Sequence, residues 1–150
     1  MITGRISKKD AEEHPYLIWN EFVHLVALRD YAELSPEQRP AHLVFWYDNE
    51  VQNGGHLQYF ENKGCAHLDE TISALGQLGA LNYQQILREA GTLFRSRPRD
   101  RIQTVEEYVD TAREEEFGAY DTRFYNASPE LVEFLKRHLE EHQANFITVV

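Results

Sequence analysis

Residues 35–64 read SPEQRPAHLVFWYDNEVQNGGHLQYFENKG, and the reading of this run decides the fold. Ser35-Pro36-Glu37-Gln38 is a helix-start signal, with Ser35 as N-cap, Pro36 at the first helical position and Gln38 closing a capping box. Pro40 breaks or restarts that helix, because the ring removes a backbone donor and crowds the preceding turn. From Ala41 to Gln52, the residues Leu43, Val44, Trp46 and Tyr47 fall on one helical side. Asn53-Gly54-Gly55 ends the segment, since glycine tolerates the left-handed backbone of a C-cap. A short helix is expected over His56–Asn62, closed by Gly64.

The same grammar extends in both directions. Tyr16, Trp19, Val23, Val26 and Ala27 follow helical spacing after Pro15. Downstream, a helix is expected from Ala66 to Leu78, closed by Gly79, and another from an Asn82 cap to Phe94. Pro98 interrupts an arginine-rich connection, Arg95 to Arg101. Thr104-Val105-Glu106-Glu107 is a second capping box. Its helix is expected to end near Gly118 and to turn Val105, Tyr108, Val109, Ala112 and Phe117 toward the core. Ser128-Pro129-Glu130 starts a last helix that reaches His142. No run alternates as a strand does, and Ile147–Val150 reads as a short strand or a packed tail. The expected class is all-α, a compact array of about seven helices forming a single domain over the whole chain.

Composition narrows the function classes. The 150 residues include one cysteine, Cys65, so a disulfide framework and a cysteine-ligated zinc site are both excluded. Cys65 lacks a nucleophile's surroundings and is expected to be a buried or neutral thiol. The N-terminal MITGRISKKDAEEH has no apolar run after its basic residues, and no stretch is long and apolar enough to span a membrane. A cytoplasmic protein without membrane contact is expected. Lys and Arg number 15 against 25 Asp and Glu, a net charge of −10. Such a chain is repelled by nucleic acid and attracts basic partners.

The stretch Asp48–Gly64 is also rich in side-chain amides and carboxylates. It reads either as a polar pocket or as a tight helix corner whose amides satisfy exposed backbone groups. Its pattern Glu50-Val51, Asn53-Gly54-Gly55, Gln58-Tyr59-Phe60, Asn62, Gly64 resembles the core motif of the DNA-mimic-protein-like family. The likeness continues through Gly79-Ala80, Ala90, Phe94, Phe124-Tyr125 and the spacing from His142 to Phe146, covering about residues 16–146. His56 departs from the pattern, where an aromatic residue is commoner. The resemblance implies an all-helical fold. For the family's described member it implies a homodimer whose acidic surface imitates duplex DNA and occupies a transcription factor's DNA-binding face. The motif residues Glu50, Asn53, Gly54, Gly55, Gln58, Asn62 and Gly64 read as architecture.

Mimicry needs carboxylates in rows. Positions four apart on a helix rise by about 6 Å. Glu106, Asp110 and Glu114 form such a row, flanked by Glu107 and Glu115. With Glu116 and Asp121 they make the candidate partner-binding surface. From Ile102 to Val150 there are 11 acidic and four basic residues. Like charges four apart cost about 0.2–0.5 kcal/mol per pair, and anions at a helix C-terminus oppose the macrodipole. A pattern that costs local stability points either to selection for binding or to an ordinary solvated face toward which Arg95, Arg97, Arg99 and Arg101 fold back.

Two other signals carry less. His138-Leu139-Glu140-Glu141-His142 matches the spacing of inverted zinc peptidases, but no third ligand follows it. No metal, cofactor or catalytic residue is therefore expected. The Arg95–Arg101 patch is expected to pair with carboxylates in the fold or across a dimer rather than with nucleic acid. The expected function is a non-enzymatic acidic protein, a homodimer, that binds a DNA-binding protein such as a transcriptional regulator. The alternative is an immunity-type or other inhibitor module without DNA mimicry.

Overall fold

The computed structural model describes residues 1–150 and contains eight α-helices and two short strands. Strand β1 (Gly4–Ile6) leads into α1 (Lys8–Glu13) and α2 (Tyr16–Leu28). A 3-10 turn (Tyr31–Glu33) precedes the long α3 (Arg39–Lys63), which is followed by α4 (Leu68–Gln77) and α5 (Leu81–Arg95). The chain then forms α6 (Val105–Arg113), α7 (Gly118–Asn126) and α8 (Leu131–Glu141). A second 3-10 turn (Gln143–Asn145) leads to β2 (Ile147–Val149). The all-α class expected from the sequence is the class observed.

Helix α3 is central and packs against α2, α4, α7 and α8. One apolar cluster of 27 buried residues runs through the molecule from Ile6 to Ile147. Ala41, Leu43, Val44, Tyr47, Val51, Tyr59 and Phe60 supply α3's share of a cluster that also holds Phe22 and Val26 of α2, Leu68 and Leu75 of α4, and Leu131 and Leu135 of α8. Each large apolar side chain so buried contributes about 1.5–3 kcal/mol.

Several boundaries differ from the sequence reading, each for a local reason. Ser35 and Gln38 do form a reciprocal box: the Gln38 N–H donates to Ser35 Oγ at 3.3 Å and the Ser35 N–H to Gln38 Oε1 at 3.0 Å. That box closes an isolated turn, and the helix proper starts at Arg39 with Pro40 in its first turn. Asn82 does not cap α5. The left-handed turn at Gly79 (φ 79°) launches the helix two residues earlier, after Ala80. Helix α6 stops at Arg113 rather than near Gly118. Glu115 turns to φ 51°, and the chain re-enters helix at Gly118. The acidic triplet Glu114–Glu116 thus leaves the helix where repulsion and the macrodipole oppose it. Nor does α6 face the core: none of its residues is buried, and Val105 is 81% exposed, whereas Phe117, beyond the end of α6, lies in the core as the sequence reading expects. Cys65 is exposed, not buried. The tail is a strand, β2, and it pairs in parallel with β1 in the register Gly4 to Ile147. Three residues are too few for β1 to announce itself by alternation.

Gln38 ties both chain ends to the start of α3. It is completely buried, and its Nε2 donates to Ile2 O at 2.5 Å and Asn145 O at 2.8 Å. Gln38→Leu keeps the volume but leaves both carbonyls unmet. It is expected to cost about 1–3 kcal/mol. The change should appear in urea unfolding as a lower midpoint with an unchanged slope.

Candidate functional site

The Asn-Gly-Gly corner is a break inside α3. Gly54 (φ −156°, ψ 22°) and Gly55 (φ 72°, ψ −174°) leave helical geometry, and the helix resumes at His56 in a new direction. Gly55 holds a left-handed angle that L-residues avoid, and a Cβ there would meet Asp121 Oδ2 at 2.6 Å. Side chains from both halves stitch the break. Glu50 Oε2 accepts from Gln58 Nε2 at 3.0 Å and from Asn62 Nδ2 at 2.7 Å. Asn53 Nδ2 donates to Gln58 Oε1 at 3.2 Å. Gly64 ends the second half at φ 59°, its N–H donating to Phe60 O at 2.7 Å. The structure thus brings Glu50, Asn53, Gly54, Gly55, Gln58 and Asn62 to one corner, with Gly64 one helical segment away.

A break of this kind creates a second helix N-terminus in the middle of the fold. Its free N–H groups carry partial positive charge and need acceptors. Asp121, from α7, supplies one. Its Oδ1 accepts from the His56 backbone N–H at 2.8 Å and from His56 Nδ1 at 2.7 Å. With Nδ1 donating, Nε2 carries the lone pair and accepts from the Tyr47 hydroxyl at 2.8 Å. Burial pushes the Tyr47 phenol well above its ordinary value, so it remains a neutral donor. Two tyrosines serve carbonyls at the same corner: Tyr125 donates to Val51 O at 2.6 Å, and Tyr108 to Gly54 O at 3.5 Å.

The Tyr47–His56–Asp121 chain has the composition of a proton relay. Tyr47 and His56 are both at 0% exposure, so neither reaches a substrate. Asp121 alone reaches a surface, at a cleft of about 460 Å³ that α6 overhangs. Tyr108, Thr111 and Glu115 line its far side. No group of three or more His, Cys, Asp or Glu side chains is placed to hold a metal ion, and the rings of His138 and His142 lie tilted against each other with centroids 4.7 Å apart.

The seven acidic residues singled out in the sequence divide into two sets. Glu106, Glu107, Asp110, Glu114 and Glu115 are exposed on α6 and the turn that follows it. None of the five has a cation within ion-pair distance. Glu107 does reach back to the Gln103 N–H at 2.8 Å, one residue before the Thr104 cap. Glu116 and Asp121 point inward. Glu116 receives a two-pronged grip from Arg99, with Nη2 to Oε1 at 2.6 Å and Nη1 to Oε2 at 2.7 Å. Arg97 adds a bond at 3.1 Å. Arg99 also donates to Phe94 O and Leu93 O, so the guanidinium ties the acidic turn to the end of α5. Arg95 pairs with Asp69 at 2.9 Å. The arginine patch is therefore largely spent inside the fold. The Asp121–His56 link has no signal in the sequence, whereas the expected pairing of the arginine patch with carboxylates of the fold is realised on Glu116 and Asp69. The excess of arginine before an acidic run was the one available signal, and it served only the second.

Two outcomes follow from this geometry. Asp121→Ala strips two buried donors of their acceptor and is expected to destabilise the fold by about 2–5 kcal/mol. Asp121→Asn, which retains an oxygen acceptor, should recover part of that loss in thermal unfolding. The Arg99 hydrogen bonds hold the Glu116 carboxyl below its ordinary value of 4.5. A lowered native pKa means the stabilisation is complete above the ordinary value and disappears as the pH falls through the native one. Glu116→Gln is therefore expected to flatten the acid limb of the stability curve as the pH falls below the ordinary carboxylate range, measured by denaturant titration at each pH.

No curated protein and no solved structure matches the chain. A family described as DMP19-like protein, the initials standing for DNA mimic protein, matches residues 32–142. That span runs from the turn before α3 to the end of α8 and takes in the break, the acidic helix and both inward carboxylates. On this match the chain belongs to the DMP19-like family.

Proposed function

We propose that this protein is a non-enzymatic binding protein that occupies the DNA-binding face of a DNA-binding protein, such as a transcriptional regulator, and blocks its access to DNA. The observation that carries the reading is the set of five exposed, unpaired carboxylates: Glu106, Glu107, Asp110, Glu114 and Glu115. Within a family named for DNA mimicry, they offer a partner's Lys and Arg what phosphates offer. The internal pairing of Glu116 and Asp121 supports the same reading. Carboxylates needed for architecture are neutralised by local donors, whereas these five have no cation of their own, and only Glu107 also accepts a backbone N–H.

Two further points fit. The net charge of −10 disfavours direct contact with nucleic acid. The buried Tyr47–His56–Asp121 chain offers no reactive group to a substrate, and no cofactor is invoked. A homodimer, implied by the family likeness, would double the acidic array. Association driven by such a surface is fast and weakens with salt.

The test begins with capture of partners from native lysate at low salt, followed by challenge with duplex DNA. The variant E107K/D110K/E114K/E115K then replaces four of the five charges. It is expected to weaken binding to the captured regulator by at least about 100-fold while the circular dichroism spectrum is retained. Unchanged affinity would remove this face from the interface. A captured partner that duplex DNA fails to displace would identify the inhibitor reading instead.

A further inference from the structure

The break in α3 does more than turn the chain. Trp46 and Lys63 are 17 positions apart in one helix, a separation of about 25 Å if the helix ran straight. Across the break, the Lys63 ammonium lies 4.4 Å from the Trp46 ring centroid. The two halves close around a cavity of about 300 Å³, completed by the end of α2, the turn at Tyr31 and the start of α4. This volume is at the lower end of the range for small-molecule sites, about 300–1,000 Å³.

The chemistry of the cavity differs from that of the rest of the molecule. Arg29 and Lys63 bring permanent positive charge, against a single lining carboxylate, Asp30. Arg29 has Glu33 at 4.0 Å, at the limit of an ion pair, and Lys63 has no carboxylate partner. Two imidazoles join them. His42 Nδ1 donates to Val26 O at 2.8 Å, which leaves Nε2 free of any protein partner. His67 stacks on Tyr31 with centroids 4.0 Å apart, and its Nδ1 is buried without a hydrogen-bond partner. A buried polar atom in that state is unfavourable, so it calls for an explanation. Tyr31, Leu43 and Trp46 give the cavity aromatic and apolar wall.

We propose that this cavity binds a small aromatic anion, a planar ring bearing one carboxylate or phosphate. The ring lies against the Tyr31, Leu43 and Trp46 wall, and the anionic group faces Lys63 and Arg29. Arginine and lysine are matched to such oxygens, and cation-bearing aromatic walls favour flat ligands. The site is separate from the acidic face. Its existence depends on the Gly54–Gly55 break, which gives that corner a role beyond packing.

The experiment is calorimetric titration of the full chain with 2-naphthoate and with adenosine 5′-monophosphate, paralleled by proton–nitrogen correlation spectra. Adenosine and inorganic phosphate are the controls, each holding half of the required chemistry. Saturable binding of at least one anion is expected, with Kd below about 1 mM and at least tenfold tighter than either control. Binding of naphthoate alone names a carboxylate ligand, and binding of the nucleotide alone names a phosphate ligand. The Trp46 indole signal should shift. Arg29 and Lys63 are exposed, so R29Q/K63Q keeps the fold and is expected to weaken binding at least tenfold. Lys136→Gln removes a lysine that lies over Trp19 instead and should leave affinity unchanged. Absence of saturable binding by both anions would overturn the assignment. So would equal affinity in R29Q/K63Q, or shifts confined to residues outside the cavity.

Discussion

The contact between Asp121 and His56 is the constraint on which the rest of the architecture depends. A helix broken at its middle exposes backbone donors in the interior, where water cannot serve them. One carboxylate oxygen from α7 meets the first of these donors and the imidazole of the same residue. That oxygen fixes the tautomer of His56, the imidazole fixes the Tyr47 hydroxyl, and Tyr47 is one of the largest fully buried side chains. A carboxylate at a partly buried helix N-terminus is worth up to about 2 kcal/mol from the macrodipole alone. The contact also explains Gly55 from the opposite direction: a Cβ would occupy the space Asp121 needs.

Seen this way, the protein sorts its carboxylates by what they face. Glu50 is held by two amides across the break, Glu116 by two arginines and Asp121 by a backbone and an imidazole donor. Each is matched to neutral or cationic donors supplied by the fold. The carboxylates of α6 have no comparable partners apart from the Glu107 cap. Net charge alone does not distinguish the two classes, because both contribute equally to −10. Only the hydrogen-bond partners do.

Most of the helical plan was legible because it rests on local signals. The Gly54-Gly55 break, the Gly64 and Gly79 stops and the Thr104 cap all follow from backbone freedom or from side chains within four residues. What was not legible depended on distance. The Asp121–His56 bond spans 65 positions, and α7 has a single buried residue, Phe124, with which to announce itself by periodicity. The end of α6 is not legible for a different reason. Val105, Tyr108, Val109 and Ala112 have helical spacing, but a periodic apolar stripe reports a helix and not what covers it. Here the stripe faces a cleft and solvent, and the helix ends at the acidic triplet.

The weak anchoring of α6 bears on how an acidic face of this kind works. The helix buries no residue, and its carboxylates repel one another at about 0.2–0.5 kcal/mol per adjacent pair. It is held by the Thr104 cap at one end, by the Arg99 grip on Glu116 beyond the other, and between them by the Tyr108 hydroxyl on Gly54 O. A cationic partner that neutralises the exposed row removes the repulsion, so in the proposed complex binding and helix stability are linked in the same direction. The linkage carries a specificity consequence. A partner with scattered positive charge relieves little of the repulsion, because the row spans only two helical turns. A partner whose cations are spaced to meet a line of phosphates relieves most of it. In the proposed complex, the energetic penalty built into α6 would therefore favour the spacing of a DNA-binding face over mere basicity.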